Sequence, residues 1–133
     1  MTQRVRGRFE VKVTPLAPSD PAAAASLGRL SIAKHYFGDL EGDAVGEMLT
    51  AGRPQGSGVY VAVERVTGKL AGRSGSFALH HTGIMDRGAP RLTITVVPDS
   101  GTDELAGLTG TMGITIEGKE HFYDFEYTLS PSP

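Results

Sequence analysis

RVRGRFEVKV, residues Arg4 to Val13, places Val5, Gly7, Phe9, Val11 and Val13 at every second position, with Arg4, Arg6, Arg8, Glu10 and Lys12 between them. Successive side chains of a strand point to opposite faces, so this period of two predicts a strand with one buried and one solvated side. The same period returns at the far end, where Tyr123, Phe125, Tyr127 and Leu129 alternate with Phe122, Asp124 and Glu126. Two well-patterned terminal strands are expected when the first and last strands pair and neither is left as an open edge.

Between them lie six more strand-like segments. Gly28–Phe37 carries Leu30, Ile32, Lys34 and Tyr36 on one face, so a lysine interrupts an apolar row. Asp39–Ala51 has Leu40, Gly42, Ala44, Gly46 and Met48 on its inner face, a glycine-rich row that predicts curvature or close packing. Val59–Thr67 follows the loop Gly52–Gly58, and Phe77–Ile84 follows a linker whose Gly68, Gly72 and Gly75 are expected to supply positive φ. After the turn Asp86–Pro90, Leu92, Ile94 and Val96 form a sixth strand, stopped by Pro98, and Met112, Ile114 and Ile116 a seventh. Thr14–Ser26 reads as a loop with room for one helical turn, Asp20 as its N-cap and Pro21 at N1. The expected fold is all-β, an eight-stranded antiparallel up-and-down barrel in one domain over 1–133, with 14–26 as an insertion and 130–133 as a tail. A sandwich is the structural alternative.

Composition narrows the function classes. Thirteen Lys and Arg against fifteen Asp and Glu give a net charge of −2, without the basic footprint of a nucleic-acid binder. No Cys is present, which removes disulfides, thiolate metal sites and thiol nucleophiles together. No GxSxG, HExxH or Walker sequence occurs. His80 and His81 are adjacent in a strand and face opposite ways, so they do not chelate one ion; no metal and no cofactor are expected. His35, His80 and His121 read as solvated surface histidines. The N-terminal residues lack the apolar h-region of a signal peptide and no stretch nears the roughly 18 apolar residues of a membrane helix, so a cytoplasmic protein without a membrane partner is expected.

GTDELAGLTG, Gly101–Gly110, has the spacing GTxxxxGxxG and resembles the loop-and-bulge segment of the allene oxide cyclase and dirigent barrels. LSIAKHYFGDLEG, YVAVERVTGKLAGRSGSFALHHTG and VVPDSGTDELAGLTGTM resemble more closely a bacterial family of uncharacterised small domains grouped with those barrels. The resemblance covers nearly the whole chain. It implies an allene-oxide-cyclase-like, calycin-like barrel and, as a prior from the plant proteins, a hydrophobic substrate held inside and assembly often as trimers, so a homo-oligomer, dimer or trimer, is expected. It carries no reaction, because fold alone does not.

The candidate site depends on one register. If the hairpin of the fourth and fifth strands closes with Val66 opposite Phe77, Glu64 opposes Leu79, Ala62 opposes His81, and Tyr60, Glu64 and His81 line one interior. In the other register Val59, Val61 and Val63 turn inward and Glu64 faces solvent. The first is preferred because Lys34 on the inner face needs a counter-ion, and Glu64 supplies one. Otherwise Lys34 lies near a mouth and snorkels out.

The expected function is therefore a barrel that binds a small hydrophobic molecule, walled by Phe9, Leu30, Ile32, Tyr36, Phe77, Leu79, Leu92, Ile94, Met112, Ile114 and Phe125. Catalysis, if present, is of the cyclase or isomerase kind. Glu64 or His81 is its general acid/base, and Tyr60 or Lys34 stabilises a developing oxyanion. The competing class is a non-catalytic structural or interaction module with a side-chain-filled barrel and an oligomerising outer wall. For that wall the uncharged rows Thr93, Thr95, Val97 and Thr111, Gly113, Thr115 are the sequence candidates, packing a homo-oligomer.

Overall fold

The computed structural model describes residues 2–52 and 56–129. Its strands are β1 (Thr2–Leu16), β2 (Gly28–Tyr36), β3 (Leu40–Gly52), β4 (Gly58–Leu70), β5 (Arg73–Asp86), β6 (Ala89–Val96), β7 (Leu108–Glu117) and β8 (Glu120–Leu129). Each runs antiparallel to the next, and β1 pairs with β8 over Thr2–Phe9, so the sheet closes into an eight-stranded barrel. The expected tail at 130–133 and part of the expected loop at 52–58 lie outside the described residues.

Several boundaries differ from the sequence reading, each for a local reason. β1 continues to Leu16, through Thr14 and Pro15, which were expected to be loop. Beyond Phe9 it has only β2 as a neighbour, where proline's missing donor is tolerated. The helical turn forms as α1 (Asp20–Ala24), but its cap is Ser19, whose Oγ accepts from the Ala22 amide at 3.4 Å, so Asp20 lies inside the first turn. The expected Gly68–Ser76 linker shrinks to two residues, Ala71 and Gly72, with φ of 50° and 86°. Positive φ at both central positions fits the twist of flanking strands, so the strands run to the tip. Arg87 and Gly88 repeat the device at the β5–β6 turn, drawing Ala89 and Pro90 into β6.

The lower end, where the β2–β3 and β4–β5 turns lie, is sealed. A short 3₁₀ turn at Asp103–Leu105 brings Leu105 against the buried core that includes Leu40, Leu70 and Leu108. The Tyr123 hydroxyl donates to the Phe37 carbonyl at 2.9 Å and accepts from the Leu40 amide at 3.1 Å. Above this floor the lumen is filled by side chains: Phe77 stacks on Phe125 at 5.8 Å, Phe125 on Tyr127 at 5.3 Å, and Tyr36 meets Tyr123 edge-on at 5.6 Å. The upper end is different. β6 and β7 pair only at Ile94–Met112 and Thr95–Thr111, leaving the first residues of β6 joined to β5 alone. No helix among the described residues is long and apolar enough to cross a membrane.

Candidate functional site

β4 and β5 adopt the register with Val66 opposite Phe77, which sets Glu64 against Leu79, Ala62 against His81 and Tyr60 against Gly83. Glu64 is fully buried as a result, while Val59, Val61 and Val63 face outward. Lys34 reaches it from β2 across β3, because the intervening inner-face residues, Ala44 opposite Lys34 and Gly46 opposite Glu64, are small.

One carboxylate gathers three donors. Lys34 Nζ donates to Glu64 Oε1 at 2.8 Å, His81 Nε2 meets the same oxygen at 2.5 Å, and the Tyr36 hydroxyl donates to Oε2 at 3.0 Å. The ammonium also lies 5.1 Å from the centre of the Phe9 ring, a cation–π contact on its apolar side. Burial works to raise the Glu64 pKa, but the hydrogen bonds and positive charge of His81 and Lys34 outweigh it and hold the carboxyl below its ordinary range. The Tyr36 hydroxyl is pushed well above its ordinary range by burial first and by the Glu64 charge second.

An ionised carboxylate only accepts, so His81 donates from Nε2 and, when neutral, carries its lone pair on Nδ1; the tautomer is assigned from this network. Nδ1 has no partner among the described residues, and there no fully enclosed side-chain nitrogen or oxygen is left unpartnered. That nitrogen is therefore not fully enclosed, although His81 as a residue is only 4% exposed and does not line the cavity at the upper mouth. Two residues further up the hairpin, Tyr60 lies over Gly83, where a Cβ would overlap its ring. Burial, then the Glu64 charge, raises the Tyr60 pKa, and its hydroxyl has no protein partner among the described residues.

Tyr60 belongs to a cavity of about 440 Å³ at the upper mouth, enclosed by the ends of β2 to β6, with Leu30, Met48, Thr50, Ile84, Met85 and Leu92 among its walls. The volume lies within the range of small-molecule sites, roughly 300–1,000 Å³. Of the expected ligand wall only Leu30 and Leu92 line it. Phe9, Tyr36, Phe77, Leu79, Ile94, Met112 and Phe125 instead pack one another in the filled lumen, with Ile114 against that cluster, and Ile32 is buried nearby. This corrects the reading of a hollow lumen: an inward face in a barrel of this width meets other inward faces, and eight strands leave an interior that side chains can fill. Leu92 is partly exposed because β6 lacks its β7 neighbour there. Tyr36, expected as wall, is an anchor of the carboxylate.

The reading missed Met48, Thr50 and Met85 as walls. The signal was present in the alternation, which continues the inner face of β3 upward from Gly46 through Met48 to Thr50. His35 pairs with Asp43 at 2.7 Å, His121 packs on Phe9 at 5.4 Å, and His80 faces outward. No three His, Asp or Glu side chains converge as metal ligands among the described residues.

Among solved structures, a protein of unknown function from the DUF3224 family of Shewanella oneidensis MR-1 superposes with a TM-score of 0.90 at 46% identity, covering 99% of this chain and 100% of that one. No curated protein matches the sequence. The family model described as "Protein of unknown function (DUF3224)" matches residues 5–127, so with barrel, sequence and structural neighbour in agreement, the chain belongs to the DUF3224 family.

Proposed function

We propose that this barrel binds a small, mainly hydrophobic molecule in its upper-mouth cavity and acts on it as a cyclase or isomerase. The observation that carries the reading is the apolar cavity reaching down to Tyr60, two residues along the hairpin from a histidine tethered to a buried carboxylate. His81 Nδ1 serves as the general base or acid, Glu64 fixes its tautomer and balances the charge it gains, and the Tyr60 hydroxyl donates to a developing oxyanion. Lys34 keeps Glu64 ionised. The resemblance of Gly101–Gly110 to the cyclase and dirigent barrels supports this class of chemistry.

The filled lumen favours a second reading, a non-catalytic module that works through its outer wall. His81→Gln separates the two, since it keeps polarity and approximate size but ends proton transfer. With a substrate identified by screening apolar cyclisable or isomerisable compounds, this variant is expected to fold and bind normally while turnover falls about 10²-fold or more. Parental turnover in both His81→Gln and Glu64→Gln would rule the acid/base pair out.

A further inference from the structure

The cavity at the upper mouth carries its charge in one place. Among the described residues that line it, Arg91 alone is charged. At the lip the wall takes in both alternations of the strand ends, Val59, Ile84 and Arg91 as well as Tyr60, Gly83 and Leu92. Arg91 is exposed and stands opposite Ile84, on a stretch of β6 that has no β7 neighbour. It enters no ion pair among the described residues, whereas Arg4 and Arg29 each hold a carboxylate, Asp124 and Glu47. Asp86, the acidic residue of the same hairpin, stands opposite Ala89 and is not part of the wall.

Deeper in, the polar groups are neutral. Thr50 and Tyr60 stand opposite each other on β3 and β4, in one row with Gly28 on β2 and Gly83 on β5. A Cβ at Gly28 would meet the Thr50 hydroxyl and one at Gly83 the Tyr60 ring, so the two side chains lean apart over the glycines. Leu30 and Met48 face each other one row below. A wall of this kind sorts ligands by charge. A cation meets the like charge of Arg91 and finds no carboxylate among the described wall residues. A molecule with a single anionic end removes its apolar body from water and keeps its charge at the lip, paired with a guanidinium where desolvation costs least.

We infer that the cavity takes an apolar molecule with one anionic end, a carboxylate or another oxyanion, seated with that end on Arg91 and its apolar body inward over Met48 and Leu30 toward Tyr60. The inference rests on the proposed reading of the mouth as a binding site and adds the class and direction of the ligand. Its inner end then lies beside the Tyr60 hydroxyl.

Two probes that share their rings and differ in one group test this: 8-anilinonaphthalene-1-sulfonate and its neutral parent, N-phenyl-1-naphthylamine. Each is titrated into the whole chain by fluorescence, and binding lost in Met48→Trp, which fills the mouth, defines the site. Arg91→Gln is expected to weaken the sulfonate at least about fivefold and to leave the parent within about twofold, while Arg91→Lys keeps most of the sulfonate affinity. Arg65→Gln, at an exposed arginine of β4 outside the cavity wall, is expected to change neither. A sulfonate indifferent to Arg91→Gln, an equal loss of both probes, or an equal effect of Arg65→Gln overturns the inference and leaves the mouth as a site for neutral molecules. Failure of both probes to bind at the Met48→Trp-sensitive site removes the mouth reading and the inference with it.

Discussion

Glu64 is fully buried with Lys34, His81 and Tyr36 as its hydrogen-bond partners, so it is where single substitutions cost most. Glu64→Gln leaves the Lys34 ammonium buried without a counter-charge and is expected to destabilise the barrel by about 3–5 kcal/mol in denaturant titration. Lys34→Met in the Glu64→Gln background removes the stranded cation and is expected to recover most of that loss, because the neutral amide still accepts from Tyr36 and His81. An undiminished loss in the double variant would mean that packing, not charge, dominates. The sign of the pH dependence follows from the lowered Glu64 pKa. The unfolded chain takes up this proton first, so the stabilisation is complete above the unfolded value, about 4.3, and is lost as pH falls through the folded one. The stability gap between wild type and Glu64→Gln is therefore expected to narrow as pH falls below about 5. The Asp124 carboxyl, lowered by its hydrogen bond to Arg4, acts in the same direction in both proteins and leaves the gap unchanged.

Two turns and one seam decide how the elements hold together. Ala71 occupies positive φ in the β4–β5 turn, where an L side chain costs roughly 1–2 kcal/mol and Asn before Gly is favoured. Ala71→Asn is expected to raise stability by about 1 kcal/mol, read from the thermal midpoint, and a lower midpoint would contradict the turn geometry. The β6–β7 seam has two residue pairs where β3–β4 pairs along the whole of β3. Amides of Pro90-flanking β6 residues are expected to exchange with solvent faster than those of β4, measured by hydrogen exchange. This scale also shows what alternation could reveal. The inner faces of strands such as β1, β2 and β8 were readable from their period of two, but that of β4 was not, and Lys34 on the inner face of β2 selected the β4–β5 register because a buried cation needs a partner. The strand ends were not readable, because Ala71 and Arg87 in left-handed backbone carry no glycine signal of their own. Nor did alternation separate an inward residue that packs, such as Phe77, from one that lines open space, such as Met48. That depends on where the β6–β7 pairing stops.

Over the whole molecule the barrel divides into a closed, aromatic-filled lower part and an open apolar mouth, with the charged cluster between them and an apolar wall outside. The proposed function places the small molecule in this mouth. Titration of the ¹⁵N-labelled chain with an anilinonaphthalene sulfonate dye, followed by amide chemical shifts, tests this most directly, because it reports where an apolar molecule binds before any substrate is known. Saturable shifts at Leu30, Met48, Tyr60 and Gly83, abolished by filling the mouth with Met48→Trp, are the expected result. Shifts confined to Val61, Val63 and His80 on the outer wall, or no saturable shifts at all, would contradict it.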